Sequence, residues 1–256
     1  MAQTGSQAQG AKPAGMSDAE WSARIDLAAA HRLADMFGWT NLVYNHITLR
    51  VPGESNCFLL KPNDELFNEV TASSLVKLDL DGKVQDGSRS VNVAGFNIHT
   101  AVLAARPEIN CSIHVHTKAG MAISALDVAV LPLTQGSMRF YNRIAYHDYY
   151  GISDKDAERA QIAADIGSMK AMILRNHGLL TCAPGIGEAM MSMKYLIDSC
   201  EVQLAVQASG APLRLPPPDI CELAAKQWDN HDKRGNVAEW AALMRMADAF
   251  DPTFRR

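Results

Sequence analysis

His114 and His116 lie two residues apart in the stretch Cys111-Ser112-Ile113-His114-Val115-His116-Thr117, which alternates like a β-strand. Side chains at i and i+2 of a strand leave the same face, so both imidazoles point one way. A third histidine, His177, follows the apolar run Ala171-Met172-Ile173-Leu174 and precedes a glycine. The end of a strand is where folds display the side chains that carry function. Three neutral imidazoles converging on one point suit zinc or another divalent transition metal, with a fourth position left for water or substrate. A His-x-His pair alone is usually no more than two histidines; the third histidine is what makes a metal site worth testing. Imidazole suits zinc, manganese, iron and cobalt alike, so these residues do not choose among them.

A chain of 256 residues with 48% hydrophobic and 20% charged residues can bury one large core, as an ordinary soluble enzyme does. A formal charge of −4 and the lack of a Lys/Arg cluster speak against nucleic-acid binding. Cys57, Cys111, Cys182, Cys200 and Cys221 are scattered without a Cys-x-x-Cys pair, the pattern of reduced thiols in a cytoplasmic protein. No apolar run reaches membrane-spanning length, and the N-terminus lacks the apolar region of a signal peptide.

Residues 1–16, mostly Ala, Gln, Gly, Ser and Thr, have little to bury and read as a disordered leader. Ser17-Asp18-Ala19-Glu20 is a capping box that opens a helix ending near Gly38. Strands are expected at 45–51 and 57–60, joined by the Pro52-Gly53 turn, with further strand and connection at 71–78. A helix from Phe96 to Arg106, stopped by Pro107, leads into the His-x-His strand. After it come a short helix (Ala119 to Leu126), a loop, and the stretch Tyr141 to Tyr150, whose four tyrosines, His147 and Asp148 either line a pocket or simply pack. A helix is expected from Asp154 to Ile166 and a longer one from Pro184-Gly185 to about Gln207. The latter is apolar on several faces and so is covered on more than one side. Pro216-Pro217-Pro218 leads into a helical tail, so the chain divides into a leader (1–16), a main domain (17–210) and a tail (211–256) packed on that domain or on a neighbouring subunit.

The stretches Ala-Asp-Met-Phe-Gly-Trp-Thr-Asn-Leu-Val-Tyr-Asn-His-Ile-Thr (34–48), His-Val-His-Thr (114–117) and Arg-Asn-His-Gly-Leu (175–179) agree in order and spacing with one family. From about Trp21 to Gly210 the chain resembles the class II aldolase/adducin family, in its adducin-like bacterial branch. The resemblance implies an α/β fold, a three-layer αβα domain around a central, largely antiparallel sheet, assembled as a homotetramer with sites between subunits. It implies that His114, His116 and His177 bind the metal, usually zinc. In the sugar-phosphate aldolases of the family that metal grips substrate oxygens and stabilises the charge left when a carbon–carbon bond breaks.

The sequence also departs from those aldolases. Their Ser-Ser-Glu stretch, which binds phosphate and moves protons, falls on Val93, Ala94 and Gly95, none of which can do either through a side chain. Their phosphate turn reads Lys61-Pro62-Asn63-Asp64, where a carboxylate would repel phosphate, and their Gly-Asn pair falls on Asn45-His46. Asn45 either reaches a substrate or holds a turn.

Two functions follow. One is a metal-dependent lyase that cleaves a C–C bond or removes CO₂ beside a carbonyl in a small hydroxy or keto substrate. A replacement acid/base would come from His99, Tyr146, His147 or a metal-bound water, although His99 could equally be a helix residue packed under the sheet. The other is a non-enzymatic interaction module like the adducin head, which shares the fold. A scaffold has no need of three convergent histidines, which favours the lyase. A purely structural metal fits least, because no cysteine sits at ligand spacing; Cys111, at an odd offset from His114, faces the other way.

Overall fold

The computed structural model describes residues 11–85, 89–151 and 156–256. Most of the expected leader and the first two residues of the expected 154–166 helix lie outside the described residues. Helix α1 (Asp18–Met36) starts on Ser17, whose hydroxyl accepts from the Glu20 amide at 3.1 Å. The Glu20 carboxylate is held by Arg24 Nε at 3.0 Å and Lys77 Nζ at 3.1 Å. Ala23, Leu27, Ala30 and Ala34, at helical spacing, form its buried stripe.

Among the described residues seven strands make one sheet in the order β3-β2-β1-β4-β7-β6-β5. They are β1 (His46–Arg50), β2 (Cys57–Leu60), β3 (Val76–Asp79), β4 (Cys111–Val115), β5 (Ile144–His147), β6 (Ala171–Leu174) and β7 (Gly178–Ala183). All neighbours pair antiparallel except β5 and β6, which are parallel. The remaining helices are α2 (Val93–Ala105), α3 (Lys118–Ser124), α4 (Asp156–Ile166), α5 (Ile186–Ala208), α6 (Pro218–Asp232) and α7 (Val237–Phe250).

Side chains alternate across the sheet into two cores. Ile47, Cys111, Ile113 and Leu179 pack with Leu27 of α1 and Met193 of α5. Phe58, Met172 and Leu180 pack on the other face with Val102 of α2 and Ile162 of α4. The result is a three-layer αβα fold. Cys111 lies in the first core and His114 faces the second, as their odd offset dictates.

Three stretches differ from expectation, each for a local reason. Residues 71–75 are turn, and only Val76–Asp79 is strand. Thr71 and Ser74 bond each other's backbone amides through their hydroxyls at 3.2 and 3.0 Å, which competes with a ladder. The tyrosine-rich stretch contains a sheet strand, β5, recognisable only once β6 supplies its partner. β7 was hidden because a central strand buried on both faces shows no polar alternation.

The 211–256 segment packs back on the domain. Arg139, in a 3-10 turn (Ser137–Phe140), pairs with Asp232 of α6 at 2.7 Å, both side chains buried. Trp240 of α7 donates to Asp26 of α1 at 3.3 Å, and the amides of Ala72 and Ser73 each donate at 2.8 Å to carbonyls of the last residues.

Candidate metal centre

The sheet topology brings the three histidines together. β4 and β7 are antiparallel neighbours with Val115 opposite Leu179, so the end of β4 and the start of β7 meet at one edge of the sheet. His114 is within β4, His116 directly follows it, and His177 sits in the tight turn from β6 to β7. Asn176 takes φ 54° in that turn, the left-handed conformation asparagine tolerates, and His177 N donates to Leu174 O at 3.1 Å. Ring centroids are 4.6 Å apart for His114–His116, 4.7 Å for His114–His177 and 4.8 Å for His116–His177. One nitrogen from each ring lies within 4.8 Å of the others.

The hydrogen bonds set the donor atoms. A carbonyl only accepts, so His114 Nδ1 donates to Leu179 O at 2.9 Å and leaves the Nε2 lone pair free. His116 Nε2 lies 2.8 Å from His114 Nε2, and His116 Nδ1 lies 3.5 Å from the Asn41 side-chain amide nitrogen. All three rings are held neutral. Burial pushes His114 well below the ordinary histidine value, lowers His116, and takes His177 to about 4, with the neighbouring histidines adding to the shift on His114 and His177. Neutral rings with free lone pairs are what a divalent metal requires, so the donor set fits one.

Two small residues secure this arrangement. A Cβ on Gly178 would fall 2.6 Å from the Val115 carbonyl and 3.0 Å from the His116 ring. Gly178→Ala is therefore expected to cost about 1–3 kcal/mol, because the obstacle is backbone. Thermal melts of the variant and the wild type measure the loss, and equal melting temperatures would refute it. Asn45, buried with φ 71°, accepts from His116 N at 3.1 Å through Oδ1 and donates to Trp39 O at 2.6 Å through Nδ2. Both of its amide atoms are thus spent on backbone.

The triad opens into a cleft of about 560 Å³ whose walls include Tyr44, Val91, Ile98 and Tyr149. The candidate acid/base residues are not among its described lining. His99 is fully buried in α2, 2.8 Å from the Thr48 hydroxyl, with His46 between it and the triad. Tyr146 points to the opposite face of the sheet from His114, where its hydroxyl accepts from Val130 N at 3.0 Å and Arg175 covers its ring. His147 is buried against α4 with Nδ1 2.6 Å from Asp165. The cleft instead holds Tyr149, from the tyrosine-rich stretch expected either to line a pocket or to pack, together with His46 and Asn176, which the sequence did not mark as site residues. Asp64 is paired with Arg89 at 2.7 Å, so its charge is not left bare at the turn.

The family model described as "Class II Aldolase and Adducin N-terminal domain" matches residues 25–204. A solved aldolase II superfamily protein from Pseudomonas syringae superposes with a TM-score of 0.90 at 38% identity, covering 94% of this chain and 98% of that one. L-fuculose 1-phosphate aldolase from Glaciozyma antarctica superposes with a TM-score of 0.83 at 28% identity, covering 96% and 97%. Alpha-adducin of Rattus norvegicus is 42% identical over 241 residues, 88% of this chain but 33% of that longer protein. Given the extent of the family match and the shared fold, the chain belongs to the class II aldolase and adducin family.

Proposed function

We propose that the protein is a metal-dependent lyase of the class II aldolase type, acting on a small unphosphorylated hydroxy or keto compound. The observation that carries this is the convergence of His114, His116 and His177, each neutral, at the floor of an open cleft. His114 Nε2, with its tautomer fixed by Leu179 O, and the rings of His116 and His177 would hold the ion. When bound, a divalent ion supplies Lewis acidity toward a carbonyl and hydroxyl pair, for C–C cleavage or decarboxylation beside it. Leu179, Asn41 and Asn45 orient the rings and the backbone that carries them.

The walls argue for an unphosphorylated substrate. Among the described residues the cleft is lined by no lysine, arginine or carboxylate. A phosphate dianion would find no charge-assisted partner there. The family aldolase from Glaciozyma antarctica is named for a phosphorylated sugar, so this chain would share its fold and metal chemistry but differ in substrate. The same reading carries a cytoplasmic homotetramer with zinc as the ion. Among the described residues no helix is long and apolar enough to cross a membrane.

The likeness to alpha-adducin favours one alternative, an interaction module without catalysis. Metal analysis separates the two. Protein purified without added metal is expected to hold about one divalent ion per chain. That result justifies screening hydroxy and keto acids for cleavage. A chain that takes up no metal even after zinc reconstitution would transfer the assignment to the interaction module.

A further inference from the structure

We propose that His46 is a substrate-binding residue, its imidazole supplying the hydrogen bond to an oxygen of the compound held at the three histidines. This rests on the lyase reading of the cleft. His46 opens β1 and is the register partner of His114 in β4, so the two rings leave the same face of the sheet. They lie 6.0 Å apart and nearly parallel, at 17°. His46 lines the cleft and is 4% exposed, and among the described residues neither of its ring nitrogens has a hydrogen-bond partner.

A neutral imidazole always carries one N–H and one lone pair. Burying both without a partner is rare in folded proteins and calls for a reason. His99 meets His46 edge-on with ring centroids 5.9 Å apart and bonds Thr48 through Nδ1, and no hydrogen bond joins the two rings.

Helix α2 makes room for the ring. A Cβ on Gly95 would fall 2.5 Å from His46 Cδ2 and 2.6 Å from its Nε2. Gly95 does not take a positive φ, so the backbone itself has no need of glycine there. Glycine in a helix sacrifices stability relative to alanine, and here it does so to seat an imidazole that no neighbour uses. Such a group suits a ligand atom more than it suits packing. A carbonyl oxygen would take its N–H, and a hydroxyl could give to its lone pair.

The experiment uses zinc-loaded wild type, His46→Leu, His46→Gln and Gly95→Ala, with acetohydroxamic acid, which chelates zinc through two oxygens as its hydroxamate, as the probe. Zinc content, melting temperature and calorimetric Kd are read on each, and the ¹⁵N ring resonances of His46 are followed in the wild type. His46→Leu should keep its zinc and its melting temperature, because it loses no protein partner. It should bind the probe at least about fivefold more weakly, as expected for one hydrogen bond. His46→Gln should recover part of the affinity. Gly95→Ala, which pushes the ring aside, should lose affinity as His46→Leu does. In the wild type the probe should shift the His46 resonances.

Unchanged affinity in His46→Leu, or a lowered melting temperature with affinity intact, overturns the assignment. If that variant fails to fold, the wild-type resonances decide. If the wild type takes up no zinc, the lyase reading falls and glycolaldehyde replaces the probe. Shifted His46 resonances then keep the assignment, and unmoved ones overturn it.

Discussion

His177→Ala is expected to leave the fold intact and abolish metal binding, taking zinc from about one per chain to near none. The three histidines differ in what else their loss would disturb. His114 is fully buried and bonds Leu179 O, so truncating it opens a cavity and strands a carbonyl, at about 2–4 kcal/mol. His116 lies 2.8 Å from His114 through Nε2 and 3.5 Å from the Asn41 amide nitrogen through Nδ1. His177 is half-buried in a turn whose shape is set by Asn176 and by its own backbone bond to Leu174. Its imidazole can therefore be removed at the least structural cost, which makes it the sharpest probe of metal binding. A second readout follows from linkage. Zinc at about a thousand times its Kd should stabilise the wild type by about 4 kcal/mol, or roughly 10 °C in melting temperature, and should leave His177→Ala unmoved. Wild-type metal content in the variant would remove His177 from the ligand set.

The triad was legible in the sequence because its geometry is local. Two of the histidines share one strand face, and the third sits in a turn at the end of a strand. Its floor was not. β7, which places His177 against His116, carries Leu179 and Leu180 into opposite cores and so shows no alternation. His46 is separated by 68 positions from its register partner His114, and only the pairing of β1 with β4 reveals that they share a face. The sequence contained a signal in retrospect: Gly95 stands in the first turn of α2, where alanine would serve the helix better. It acquires meaning only when α2 is laid on the sheet over His46. His99 was a reasonable acid/base candidate by type and spacing, yet the helix aims it at Thr48 and away from the cleft. Asn45 shows the reverse case. Its turn conformation was foreseeable from residue type, and its hold on His116 was not.

Acid should unfold the metal-free protein in the range where histidines, not carboxylates, take up protons. His31 and His99 are fully buried, and burial takes each of them to about 3. Each has a nitrogen bonded, His31 Nδ1 to Leu27 O at 2.8 Å and His99 Nδ1 to Thr48 at 2.8 Å, while among the described residues the other is enclosed without a partner. In the unfolded chain both return to about 6.5. Below that value the unfolded state binds more protons than the folded one, so stability is complete above pH 6.5 and falls as pH drops toward 3. Each ring forfeits about 1.4 kcal/mol per pH unit in that window, so by pH 4.5 the pair together removes about 5 kcal/mol. That is comparable to the whole stability of many domains. Carboxylates titrate near 4, below most of this window, so their contribution comes later. The fluorescence of the buried Trp21 and Trp39, followed against pH in the presence of a chelator, should show a cooperative transition with its midpoint at or above about pH 4.5, because His46, His114 and His177, which burial also holds below their ordinary value, add to the loss in the metal-free protein. In His31→Leu, whose ring otherwise packs 4.8 Å from Phe67, proton uptake on unfolding at pH 5 should fall by about one. A transition that begins only below pH 3.5, or a proton count that the substitution leaves unchanged, would mean that the buried histidines do not control acid stability.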